Sequence, residues 1–161
     1  MRVLRPSALF LVAAIFLCAS AVAAAEEVSV ETYKAAVEPI CQRNSNANKK
    51  ILKNVKKDVR QGKLKLAAAA LIKASAALNR AYAELKTVQQ PVAEEAILAK
   101  WLGYVKKEAA LLSQTGRALR ANRKSKASHD ETQLNHYANL ANSTVFSFHF
   151  HYCRFEPSKY T

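Results

Sequence analysis

The sequence predicts an all-α fold, an antiparallel up-down-up-down four-helix bundle preceded by a cleaved N-terminal signal peptide. Three observations carry that reading. Among 161 residues there are only 3 glycines and 4 prolines, spaced well apart, while Ala, Leu, Lys and Glu are plentiful. That is the punctuation of long helices with short joins. Apolar residues also recur at three- and four-residue steps in four successive segments. Finally, the two cysteines that remain after signal removal fall near opposite ends of the mature chain, and this topology brings those ends to one pole.

The N-terminus carries Arg2 and Arg5, an apolar run from Ala8 to Cys18, and small residues through Ala25. This is the three-part pattern of a secretory signal. The run falls short of the roughly 20 apolar residues that span a bilayer core, and no cationic stop follows it. Residues 1–25 are therefore expected to be cleaved, leaving 26–161 as one helical-bundle domain. Lipid attachment at Cys18 is the alternative, disfavoured because Leu17 stands where a small residue would precede such a cysteine.

The first helix is expected from about Val30 to Gln61, with Ile40, Cys41, Asn44, Asn48, Ile51, Val55 and Val59 along one stripe. Pro39 is expected to kink this helix or to start it, and Gly62 to end it by adopting the left-handed conformation. The second helix carries Leu64, Ala67, Leu71, Ser75, Leu78, Tyr82 and Leu85 without a break in spacing. Gln89, Gln90 and Pro91 form the next join, with Pro91 suited to a first helical turn. The third helix carries Leu98, Trp101, Val105, Leu112, Thr115 and Leu119. After a polar run from Asn122 to Ser128, the fourth carries Leu134, Tyr137, Ala141, Val145 and Phe148. From Phe146 to Tyr152 aromatics alternate at the period of a strand. Helix is preferred there, since no second strand exists to pair with it.

Loss of the signal removes Cys18 and leaves Cys41 and Cys153, an even pair bound for an oxidising compartment. A Cys41–Cys153 disulfide is expected at the pole where the first helix starts and the fourth ends. In the chain-entropy model, closing a loop of about a hundred residues contributes roughly 4–5 kcal/mol.

Lys and Arg number 25 against 12 Asp and Glu; without Arg2 and Arg5 the mature chain stays near +11. The cations are unevenly placed. Lys49, Lys50, Lys53, Lys56, Lys57, Arg60 and Lys63 occupy the end of the first helix and the following turn, with Lys65 just beyond. Arg117, Arg120, Arg123 and Lys124, followed by Lys126, end the third helix and enter the next join. The bundle topology sends both clusters to the pole opposite the disulfide. Most acids map near the disulfide pole, Asp58, Glu108, Asp130 and Glu131 being the exceptions. A bland alternative is that these cations complement helix dipoles and solvate exposed faces.

No motif points to catalysis or to a resident cofactor. The histidines, His129, His136, His149 and His151, show no recognised ligand spacing. There is no Glu-x-x-His pair, no C-x-x-C-H and no methionine after the signal. Ser and His residues form no nucleophile motif. The Asn-Ser-Thr at Asn142 is read as polar helix surface or an interhelical hydrogen-bonding site, with Asn135, Asn139 and Asn142 able to pair with Asn44 and Asn48 as a register-fixing ladder.

Val37-Glu38-Pro39-Ile40-Cys41, Lys100-Trp101-Leu102-Gly103-Tyr104 and Ala138-Asn139-Leu140-Ala141-Asn142 ahead of Tyr152-Cys153 give the chain a layout that resembles uncharacterised secreted helical proteins of actinobacteria. The resemblance implies export and the paired N- and C-terminal cysteines, and assigns no activity. The function expected is that of an exported, non-enzymatic bundle whose basic pole meets an anionic wall polymer or lipid headgroups at the cell envelope. The alternative is a small-ligand or metal-binding extracytoplasmic bundle. Native nucleic-acid binding is not expected, because no groove-reading or stacking motif accompanies the charge.

Overall fold

The computed structural model describes residues 27–161. The signal peptide expected over residues 1–25, with Cys18, lies outside them. The fold is all-helical: α1 (Val30–Leu52), α2 (Val55–Arg60), α3 (Leu64–Leu85), α4 (Glu95–Arg120) and α5 (Lys124–Thr144), with short 3-10 turns at Val92–Glu94, Phe146–Phe148 and Pro157–Lys159. No strand occurs among the described residues. α4 lies against both α3 and α5, while α1 and α2 pack on α3.

Ser29 caps α1, its Oγ accepting the Thr32 amide at 3.1 Å, and Glu31 adds a carboxylate at the positive end of the helix dipole. Pro39 neither starts nor ends this helix and sits inside it. The long first helix expected through Gln61 is instead broken at Lys53 and Asn54, so that α2 forms a separate short segment. Its buried stripe also differs from the expected one. Tyr33, Val37, Cys41, Asn48 and Leu52 are buried, whereas Ile40 and Ile51 are half-buried and Val59 is exposed.

Gly62 ends α2 as expected, at φ 71°. The Gly62 amide reaches the Val59 carbonyl at 3.0 Å and the Lys63 amide reaches the Asp58 carbonyl at 2.8 Å, a Schellman closure. The same closure ends α4, where Asn122 takes φ 54°, its amide bonds Leu119 and the Arg123 amide bonds Ala118. The polar join expected from Asn122 to Ser128 is much shorter, because this tight closure lets α5 begin already at Lys124.

α3 and α4 approach closely. Ser75 Oγ donates to the Ala109 carbonyl at 2.6 Å, and Gly116 faces Ala68 and Leu71 with no room for a side chain. The expected stripes of both helices are buried or half-buried in full, and with Tyr33, Leu52, Leu134 and Val145 they form one core cluster. Pro91 precedes the 3-10 turn that leads into α4.

The helix preferred across Phe146–Tyr152 does not form. α5 ends at Thr144, and after the 3-10 turn His149 adopts φ 50°, a conformation no helix continues. The remaining residues, 149–161, run as a strap along the bundle. Phe150 enters the core 5.5 Å from the Trp101 ring and 6.5 Å from Tyr33, so the alternation of aromatics reports an irregular segment with one face buried. The strap is bonded to α1 by the Cys41–Cys153 disulfide, with the Cα atoms 4.8 Å apart across a separation of 112 residues. Cys41 sits midway along α1, not at its start, because the strap folds back over the helix.

The expected asparagine ladder between the first and last helices is absent among the described residues. Asn48 bonds Asn44 within α1 at 3.3 Å, Asn139 is exposed, and Asn142 clasps the strap. Its Nδ2 donates to the Phe155 carbonyl at 2.9 Å and its Oδ1 accepts the Phe155 amide at 3.2 Å.

Candidate functional site: a basic pole

The two Schellman turns bring the two basic clusters to neighbouring surfaces. Lys56 and Arg60 from α2 and Lys124 from α5 border a groove whose walls include Val55, Val59, Leu64, Leu71, Leu119 and Ala127. The groove holds about 360 Å³, and Glu131 also borders it. Beside it, Lys63 and Lys65 share a shallow surface with Leu66, Arg120 and Asn122. A third depression is bordered by Arg117, Arg123 and Lys126.

Each of these cations is exposed, so its ammonium or guanidinium stays hydrated while its stem lies along the protein surface. Arg117 is partly engaged, its Nη1 donating to Ser113 Oγ at 2.6 Å, and Lys126 pairs with the buried Asp130 at 3.0 Å. Lys56, Arg60, Lys63, Arg120, Arg123 and Lys124 make no ion pair among the described residues.

The remaining predicted residues fall elsewhere. Lys50, Lys53 and Lys57 are exposed outside these depressions. Lys49 lines a different cavity, with Cys41, Cys153 and Glu108. The disulfide end of the molecule is not uniformly acidic either. Glu84 pairs with Arg43, Glu156 pairs with Lys159, and Arg154 stands near Glu156 on the strap.

Two features escaped sequence reasoning. The apolar floor of the groove was missed because Val59 and Leu64 were assigned to core stripes; exposed Leu66, 60% accessible, shows that apolar surface continues outward. Glu108 was an expected exception to the acids near the disulfide, yet it lines a cavity with Cys41 and Cys153 and is buried, and burial pushes its carboxyl up to about 8. Its position gave a signal, because it lies three residues after Val105 and four before Leu112 in the buried stripe of α4.

The histidines are dispersed. His136 meets Tyr137 edge-on at 5.4 Å, and His151 meets Tyr152 at 4.4 Å. No group of three His, Cys, Asp or Glu side chains suited to a metal occurs among the described residues. None of the described helices is long and apolar enough to cross a membrane, and the disulfide is compatible with an extracytoplasmic protein. Compared with known proteins, the chain matches no family model, no curated protein and no solved structure.

Proposed function

We propose that this is an exported, non-enzymatic bundle that binds anionic components of the cell envelope through its basic pole, with lipid as the preferred partner over wall polymer. The observation that carries the reading is the groove between α2, α3, α4 and α5, apolar along its walls and bordered by Lys56, Arg60 and Lys124. A polyanionic polymer uses the cations alone. An anionic lipid uses both parts, its headgroup meeting the charges and its upper acyl segment covering Val59 and Leu64.

The reading relies on an up-down-up-down course for the helices. Support comes from the pairing of Ala68 with Gly116 and of Ser75 with Ala109, in which one chain ascends as the other descends. It also relies on export. Support there comes from the N-terminal pattern of residues 1–25 and from the disulfide.

Sedimentation of the disulfide-bonded protein with phosphatidylglycerol or phosphatidylcholine vesicles, and with a teichoic-acid polymer, tests this function. Binding is expected to the anionic vesicles first, to the polymer more weakly, and to phosphatidylcholine not at all. It should weaken steeply as salt rises, because the Debye length falls from about 30 Å at 0.01 M to about 8 Å at 0.15 M. Equal binding to both kinds of vesicle would contradict it.

A further inference from the structure

A second cavity, of about 300 Å³, lies between α1, α3, α4 and the strap. It shares no residue with the depressions of the basic pole. At its floor are two polar side chains that are each only 2% exposed, Glu108 and Asn48. Glu108 has no ion pair among the described residues, and desolvation is what raises its pKa to about 8, as befits a carboxyl that lacks a counter-ion. Asn48 spends its amide on Asn44 at 3.3 Å and leaves its Oδ1 buried without a donor.

Buried acceptors without donors are rare in folded proteins, since each costs about 1–3 kcal/mol. One of them, Asn48 Oδ1, lines this cavity beside the unpaired Glu108 carboxyl, and the two together fit a group that donates several hydrogen bonds and supplies the counter-charge Glu108 lacks. The α3 and α4 side of the wall is apolar, built by Leu78, Ala81, Leu85, Trp101 and Val105, while α1 contributes the polar Asn44 and Ser45. Toward solvent the chemistry reverses. Lys49, Arg154 and Lys159 are exposed; Lys159 is paired with Glu156, whereas Lys49 and Arg154 make no ion pair among the described residues. At about 30 Å³ per water, the volume corresponds to roughly ten water molecules, which suits a short organic molecule.

We infer that this cavity binds a small zwitterion with a primary ammonium at one end and an anionic group at the other, the ammonium reaching Glu108 and Asn48 and the anion meeting Lys49 and Arg154. The apolar walls take the methylenes between. A simple cation would have to pass a rim of like charge, and a simple anion would leave Asn48 Oδ1 without a donor and Glu108 without a counter-charge. Tyr152 and Cys153 of the strap also line the cavity, so the disulfide holds part of its wall in place.

Calorimetric titration of the disulfide-bonded protein with glycine, 4-aminobutyrate and 6-aminohexanoate provides the test, followed by the amine and the carboxylate corresponding to the tightest of them. One zwitterion should bind at one site per chain, with each one-ended counterpart at least about tenfold weaker, in keeping with charge-assisted hydrogen bonds at both ends. Glu108→Gln should weaken binding about tenfold or more. Lys49→Gln, an exposed position that leaves the core intact, should weaken the zwitterion and leave the amine unaffected. Lys124→Gln at the opposite pole should change nothing. The inference is overturned if no zwitterion binds, if the amine or the carboxylate alone binds as tightly, or if Glu108→Gln and Lys49→Gln bind like the native chain.

Discussion

The Glu38 carboxylate accepts the backbone amide of Tyr152 at 2.9 Å, across 114 residues of chain. The adjacent His151 amide donates to the same carboxylate. Glu38 precedes Cys41 by less than one helical turn, so a single stretch of α1 holds the strap twice, once by hydrogen bonds and once by the disulfide. The two fastenings differ in kind. The disulfide restricts the unfolded chain, whereas the carboxylate satisfies two strap amides in the folded one.

Replacing Cys41 and Cys153 by serine should therefore cost up to about 4–5 kcal/mol, the loop-closure value for a separation of this size. Glu38→Ala should cost about 1–3 kcal/mol even with the disulfide intact, because charge-assisted bonds to two amides are lost. Urea denaturation of the two variants checks both figures. Strap amides that exchange no faster in Glu38→Ala than in the native protein would show that the carboxylate does not hold them.

Gly116 and Gly103 lie on the same helix and should respond oppositely to alanine. A Cβ at Gly116 would meet Ile72 Cγ1 at 2.8 Å and the Ala68 carbonyl oxygen at 2.9 Å, and the backbone oxygen has little room to retreat. Gly116→Ala should destabilise by about 1–3 kcal/mol through overpacking. At Gly103 a Cβ meets nothing within 4 Å, so Gly103→Ala should stabilise by up to about 1 kcal/mol through helix propensity. Thermal unfolding of the pair decides whether α3 and α4 touch as closely as described.

Glu108 gives stability a pH dependence of defined sign. Its carboxyl titrates near 4.5 in the unfolded chain and near 8 in the folded one. Between those values the folded protein holds a proton that the unfolded chain has lost. Its contribution is thus full below about 4.5, falls as pH rises, and is exhausted above about 8, a change on the order of a few kcal/mol. Glu108→Gln keeps the shape and removes the proton, so its unfolding midpoint should exceed that of the native protein at pH 8 and the two should converge near pH 4. Parallel curves for the two proteins across that range would contradict the burial of an unpaired carboxyl.

Particular residues show why parts of this molecule were legible and others were not. The stripes of α3 and α4 could be read because a helix packed between neighbours repeats its apolar positions with little interruption, from Leu64 to Leu85 and from Leu98 to Leu119. Cys41 and Cys153 could be paired because compartment and topology constrain two cysteines strongly. The break at Lys53–Asn54 left no such mark, since neither residue is a breaker and the apolar spacing runs on through Val55. The strap was misread because Phe146 to Tyr152 has a strand's alternation and a helix's context, and tertiary contacts of Phe148 and Phe150 decided the outcome. Of the candidate site, Lys56, Arg60 and Lys124 were found from charge, but the groove between them was not. A groove is a property of three or more elements together, and no local pattern encodes it. Lys49 was assigned to the wrong surface for the same reason, since the strap's path along α1 was not foreseen.

Lys56, Arg60 and Lys124, as proposed, form a located site and do not act only through net charge. Two triple variants with equal loss of charge separate these possibilities: Lys56→Gln with Arg60→Gln and Lys124→Gln, against Lys73→Gln with Arg80→Gln and Lys100→Gln on exposed faces of α3 and α4. Affinity for phosphatidylglycerol vesicles at about 0.1 M salt, where screening length is about 10 Å, is the measurement. The first variant should lose about tenfold or more while the second stays within about twofold of the native protein, a difference of roughly 1 kcal/mol or more. Equal losses in the two variants, or none in either, would contradict it.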